Sequence, residues 1–147
     1  MSNPQMTVIK NLLSGIATTI DDNATAADIV VLYEGGPETL KWLFFILDYD
    51  VVVTLKEPDV DMRRWIQDVA EHHVEGVQVT VTSIDKTGVT GVKMQGKMRT
   101  QIRATIEAAA HGVNYILRIP NERPTTKRKA GIDKVWEDNY LIQYWDA

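Results

Sequence analysis

The stretch from residue 50 to residue 119 alternates between β-branched runs and apolar residues at helical spacing, and this order limits the folds open to the chain. Runs rich in valine, and valines that alternate with polar residues, predict strands. The predicted strands cover residues 51–55, 77–82, 89–94 and 113–119. Helices are predicted to begin near residues 58 and 96, where apolar residues recur three or four positions apart. The order of strand, helix, strand, strand, helix, strand is that of a ferredoxin-like core.

The remaining segments extend this core on both sides. An amphipathic helix is predicted over 7–20, within an N-terminal extension of residues 1–48, and the apolar stretch 40–47 could be a strand or a helix. A basic loop at 121–133 precedes a closing strand at 135–145. A chain of 147 residues has room for one core. We therefore expect a single α+β domain over 1–147, with a mainly antiparallel sheet and its helices on one face.

Charge is divided unevenly along the sequence, although the net charge is only −4. Residues 1–85 carry five basic and fourteen acidic side chains, whereas residues 86–134 carry eleven basic and three acidic ones. Such asymmetry indicates a charged partner. The partner could be nucleic acid at the basic part, or a second copy of the chain that brings an acidic surface to a basic one.

Residues that could support catalysis or bind a metal do not occur in a suitable pattern. The chain has no cysteine and no nucleophile-elbow or phosphate-loop motif. The imidazoles of His72–His73 would point about 100° apart on a helix, so both cannot easily reach one ion. The pairs Asp48 and Asp50, and Asp59 and Asp61, have no His or Lys placed to complete an acid–base site. We expect a non-enzymatic protein without metal or cofactor.

Basic residues in the second half of the chain are the best candidates for contact with a partner or with nucleic acid. Three lie on or near the solvent side of the second core helix, and four lie in the basic loop: Lys97, Arg99, Arg103, Arg123, Lys127, Arg128 and Lys129. A loop of this length inside a compact domain is uncommon and is typical of a functional arm. A merely solubilising loop is the alternative. The predicted strand 89–94 has no aromatic residue, which argues against base stacking of the RRM type.

Aromatic residues crowd the closing strand and are predicted to form a subunit interface. They are Trp136, Tyr140, Tyr144 and Trp145. Apolar residues occur on both faces of this strand, so it is either central in the sheet or covered by something else. If it is an edge strand, a second subunit is its natural cover.

The overall layout resembles the small neck and tail-completion (tail-terminator) proteins of tailed viruses and proviruses. The resemblance lies in the N-terminal helix 8–20, a central sheet with two helices and the closing strand 139–145, and it involves no diagnostic motif. It implies a ring-forming homo-oligomer that contacts other assembly proteins and has no catalytic residues. Residues 121–134 would then be a contact arm toward a neighbouring subunit or DNA.

A different class of function is open to the same predicted fold. A ferredoxin-like core could also serve as a non-specific nucleic-acid-binding module, or as a regulatory dimer that binds a small ligand as ACT-like domains do. The longest apolar run is the six residues 42–47, so no membrane span is expected. No signal-peptide pattern is present at the N-terminus. We expect a cytoplasmic location, or the virion if the protein is viral.

Overall fold

The computed structural model describes residues 4–20, 25–34, 46–58, 75–86, 90–108, 113–119, 123–129 and 131–146. Two helices and six strands lie in this part of the chain. They are α1 (Pro4–Ser14), β1 (Ile29–Tyr33), β2 (Val51–Lys56), β3 (Glu75–Ile84), α2 (Gly91–Ala108), β4 (Val113–Arg118), β5 (Thr125–Lys129) and β6 (Ile132–Asp146). The predicted helix from residue 58 lies almost entirely outside these residues.

The strands form one mixed sheet in the order β1-β2-β3-β6-β4, and β5 also pairs with β6. Only β1 and β2 are parallel, and every other pair is antiparallel. The 15-residue β6 is central because β3 pairs along one of its sides, while β4 and β5 share the other side. The α+β class predicted from the sequence is confirmed, and the sheet is mainly antiparallel.

Both described helices pack on the same face of the sheet. Alternate valines of β3 (Val77, Val79 and Val81) are fully buried there, as the alternation of the sequence indicates. They join one core with the apolar stripes of the two helices, which are Met6, Ile9 and Leu13 in α1 and Met94, Met98, Ile102 and Ile106 in α2. A smaller cluster, which includes Val52, Ile84 and Val135, lies on the opposite face. The two helices therefore hold one face of the sheet against a continuous apolar layer.

The predicted return strand over 89–94 is wrong, because residues 91–94 form the first turn of α2. Asp85 accepts a hydrogen bond from the Gly91 N–H at 2.7 Å and thus satisfies a donor at the helix start. The Ser83 hydroxyl donates to the Gly91 carbonyl at 2.8 Å. Burial of Met94 against the sheet outweighs the local strand preference of the valines. The ferredoxin-like order of residues 50–119 is not confirmed, since this strand is part of it.

The predicted structureless loop over 121–133 is also wrong where the structure describes it. Thr125–Lys129 is strand β5, which forms a hairpin with the start of β6. Gly131 adopts a φ of 81° in the connection, a conformation that glycine accepts without steric cost. The β-branched Thr125 and Thr126 favour the extended backbone. The basic residues of this segment are therefore held on a hairpin.

The ends of two N-terminal segments differ from the sequence prediction. Helix α1 ends at Ser14, six residues before the predicted end at 20, and Thr19 and Ala26 form an isolated antiparallel bridge. Of the ambiguous stretch 40–47, residues 46 and 47 are helical, and the others lie outside the described part of the chain. The Lys86 ammonium donates to the carbonyl oxygens of Leu47 and Tyr49, which ties this turn to the end of β3.

Candidate interaction surface

Two short strands lie at opposite edges of the sheet. The strands β1 and β5 are each five residues long, and each pairs on one side only among the residues that the structure describes. The unpaired side of an edge strand presents backbone N–H and C=O groups that can bind another chain. The sheet therefore offers a backbone surface at each of these edges.

The edge formed by β5 is basic. The side chains of Lys127 and Arg128 are 49% and 75% exposed. Lys127 lies 2.9 Å from the Glu137 carboxylate, and Arg128 lies 3.4 Å from that of Asp133. The Arg128–Asp133 pair is exposed on both sides and contributes little stability, so Arg128 remains accessible to a competing anion, whereas Lys127 is paired with a Glu137 side chain that is only 15% exposed. Arg123 is exposed at the start of the same hairpin. We call β5 with Lys127 and Arg128 the basic edge.

The edge formed by β1 is acidic. Exposed carboxylates flank the strand at Asp28 and Glu34. The Asp28 N–H donates to the Asp50 carboxylate at 2.7 Å, which brings a second acidic side chain to the start of β1. Glu34 lies 3.7 Å from Lys56, a distance typical of a weak surface ion pair. We call β1 with Asp28 and Glu34 the acidic edge.

Two of the three helix residues predicted to contact a partner bind within the chain instead. The Lys97 ammonium donates to the Thr19 carbonyl at 2.7 Å, which joins α2 to the segment after α1. The Arg99 guanidinium lies 2.5 Å from the buried Asp138 carboxylate. Only Arg103 keeps an exposed side chain, 4.0 Å from Glu107 of the next helical turn. Helix α2 thus contributes less to the basic surface than the sequence indicated. The side chain of Lys129, in β5, lies outside the described part.

Asp138 is buried where β6 changes partner strands. The last β4 pair is Arg118 with Leu141, and the first β5 pair is Thr125 with Glu137, so Asp138 lies between the two ladders. Its carboxylate accepts the Asn139 N–H at 3.0 Å as well as the Arg99 guanidinium. The carboxylate therefore stabilises a backbone position that neither β4 nor β5 pairs with.

The two side chains next to the Asp138 carboxylate, Arg99 and Tyr140, both have raised pKa values. Burial, together with the negative charge of Asp138, raises the pKa of the Tyr140 phenol. Burial alone would lower the pKa of Arg99, but its contacts with Asp138 and Tyr140 outweigh this effect and raise the pKa. Tyr140 therefore stays protonated and Arg99 stays charged at neutral pH. The ion pair between Arg99 and Asp138 fixes α2 to β6.

The aromatic residues of the closing strand lie mostly inside the single chain. Tyr140 and Tyr144 belong to the main core, and β6 is central. The central-strand explanation of this apolar segment therefore applies, and these two side chains are already covered. Trp136 is half-buried beneath Lys134, whose ammonium lies 5.1 Å from the ring centroid. The side chain of Trp145 lies outside the described part.

A buried glutamine that sequence reasoning missed joins α2 to the sheet. Gln95 is fully buried, and its amide nitrogen donates to the Val81 carbonyl at 2.8 Å. The same nitrogen lies 3.1 Å from the Ser83 hydroxyl and from the Trp136 carbonyl. The signal in the sequence was a polar residue next to Met94 and in register with the apolar stripe of α2.

The described residues contain no group of three or more side chains suited to a metal ion. His72–His73, Asp59 and Asp61 lie outside the described part. Neither described helix has the length and apolar content needed to cross a bilayer. A comparison with protein-family models and a search of curated proteins found no match for the chain.

Proposed function

We propose that the protein is a non-enzymatic assembly subunit whose copies associate head to tail into a closed ring. The observation that carries the proposal is the opposite charge of exposed side chains at two edges of the sheet, Lys127 and Arg128 on β5 and Asp28 and Glu34 beside β1. Contacts between two different surfaces of the same chain are heterologous, and they generate rings when the rotation closes. A subunit of this kind fits the neck or tail-completion position of a tailed virus, in the cytoplasm or in the virion.

The charges of the basic edge and the acidic edge also favour head-to-tail association over a symmetric dimer. Two basic edges repel each other, and so do two acidic edges, because like charges directly opposite across strands are destabilising. A symmetric dimer through either edge is thus disfavoured. The pairing of unlike edges brings cations to carboxylates and is the arrangement with attractive charge.

The mass of the protein in solution tests this proposal. Light scattering on a sizing column at about 0.05 M salt should give a multiple of the 16.6 kDa chain mass. At about 1 M salt the screening length falls to about 3 Å, so the oligomer should dissociate toward the monomer. A monomer at both salt concentrations would contradict the proposal, and so would a symmetric dimer that salt leaves intact.

A second candidate function is non-specific binding of nucleic acid by the β5–β6 hairpin. Five basic and two acidic side chains lie between residues 123 and 137. Phosphates could bind the exposed cations, but an anionic nucleic acid gives no role to the acidic edge with Asp28 and Glu34. We therefore rank this function second. Binding of a fluorescent DNA duplex that weakens steeply with salt, and that is lost in K127A/R128A, would favour it over assembly.

A regulatory function that binds a small ligand has the least support of the three candidates. It depended on a ferredoxin-like core, and residues 91–94 are helical rather than the strand which that core requires. Other assembly proteins stay predicted partners of the ring, in keeping with the resemblance to neck and tail-completion proteins.

A further inference from the structure

We infer that the ring contact is a continuation of the sheet, in which β5 of one copy pairs with the outer side of β1 of the next copy. This inference rests on the proposed function and names the site at which a second copy of the chain binds. Both strands are five residues long, and each has a single partner strand within the described residues, β2 for β1 and β6 for β5.

The position of the hairpin favours such pairing. The last pair of β3 with β6 is Ile84 with Val135, so residues 132–134 of β6 extend past the end of β3. Three residues of strand span about 10 Å. β5 pairs with this extension and with the residues next to it. The outer side of β5 has no partner strand among the described residues, so another sheet can approach it there.

A bulge limits the length of the new ladder. The pairing of β5 with β6 shifts register between Lys127 and Lys129, where Arg128 alone lies opposite two residues of β6, Asp133 and Lys134. The regular part of β5 is Thr125–Lys127, so we expect about three ladder positions in the new contact. A ladder this short is weak without help from charge. The contact should therefore be sensitive to salt, in contrast to a large apolar interface.

Charged residues of opposite sign lie near the ends of the two strands that would pair. Asp28 and Glu34 lie just before and just after β1, while Arg123 and Arg128 lie at either end of β5. Parallel and antiparallel pairing therefore both place a basic residue near each end of β1. Since β1 is apolar (Ile-Val-Val-Leu-Tyr), its flanking acidic residues are also what keeps it from pairing with another β1.

Cysteine cross-linking tests the contact directly, because the natural chain has no cysteine. Thr125 lies on the same face of the sheet as Val30 and Leu32. Its pair residue Glu137 is two positions from Val135, which belongs to the apolar cluster on that face. Cross-strand neighbours lie close enough for a disulfide. Within one chain, β2, β3 and β6 separate these residues by about 19 Å, so no internal disulfide can form.

The test uses T125C combined in turn with V30C and L32C, oxidised at low salt and run on a non-reducing gel. At least one of the two combinations should give a ladder of covalent multimers. The matched control, T125C with T100C, places the second cysteine on the exposed surface of α2 and should stay monomeric on the gel.

Light scattering of the same samples distinguishes a failure of the β5–β1 contact from a failure of the proposed assembly. An oligomer that gives no ladder with either combination, or an equal ladder with the control, would overturn the β5–β1 contact and leave the ring in place. A monomer under all conditions would overturn both the contact and the proposed assembly function.

Discussion

Replacement of Arg99 by Met should destabilise the fold without changing the oligomer. The substitution removes the partner of the Asp138 carboxylate, which is 0% exposed, whereas the Arg99 side chain is 25% exposed. Removal of one partner of a buried ion pair typically costs 3–5 kcal/mol, because the other charge stays buried and uncompensated. Water can reach the place that Arg99 vacates, so we expect a loss near the lower end, about 3 kcal/mol. Urea denaturation followed by circular dichroism measures this loss.

A second substitution, D138N, tests whether Arg99 acts by compensating the buried charge of Asp138. D138N keeps an oxygen that can accept the Asn139 N–H but removes the charge, so R99M/D138N should be more stable than R99M alone. Light scattering below the unfolding transition should give the native mass for all three variants. A double variant whose loss equals or exceeds the sum of the two single losses would refute the claim that Arg99 acts by compensating a buried charge. A changed oligomer mass in folded R99M would contradict its internal role.

Two further predictions concern the packing of α2 against β6. A Cβ atom at Gly91 would collide with the Trp136 ring, so G91A should lose about 1–3 kcal/mol in urea denaturation. At Gly96 a Cβ atom meets nothing within 4 Å, so the matched G96A variant should gain up to about 1 kcal/mol, and a loss there would contradict the reasoning. Burial raises the pKa of Tyr140, so the unfolded state loses its phenolic proton first as the pH rises, and native stability should fall above about pH 10. Y140F should lack that part of the fall in a pH series of urea denaturations, and an identical decline in both proteins would show that the buried phenol is not its cause.

Strands with a clear alternation or a β-branched run were predictable from the sequence. The valines of β2 and β3 and the apolar residues of β4 lie in strands, as their patterns indicate. Local preference and tertiary burial agree in these segments. The parallel pairing of β1 with β2 was not predictable, because the connection between them carries no pattern that fixes its direction.

The start of α2 shows where local preference fails. The sequence Val89 to Met94 has the composition of a strand, yet the helix begins at Gly91. The decisive contacts are long-range or depend on side-chain geometry, namely the Asp85 cap and the buried Gln95 that reaches Trp136. The helix and strand preferences of single residues do not include contacts between segments 41 residues apart.

The candidate surface was predicted in part. The concentration of positive charge in the second half correctly identified exposed residues on β5, such as Lys127 and Arg128. It could not distinguish them from Arg99, since the sequence alone does not reveal that a carboxylate at 138 is buried beneath the helix. The signal that was available is Asp138 itself, an acidic residue at a core-facing position of a strand.

In the proposed assembly, unlike charges on the basic edge and the acidic edge hold copies of the chain together. This is tested most directly by charge reversal at each edge, K127E/R128E and D28K/E34K, with the two variants measured alone and mixed in equal amounts by light scattering at low salt. Each variant alone should be monomeric, because its two edges then carry the same charge, and the mixture should associate again, because alternating copies join unlike charges at every contact. The mixture should recover the native mass if the ring has an even number of copies. Native mass for either variant alone, or a mixture that stays monomeric, would contradict the account.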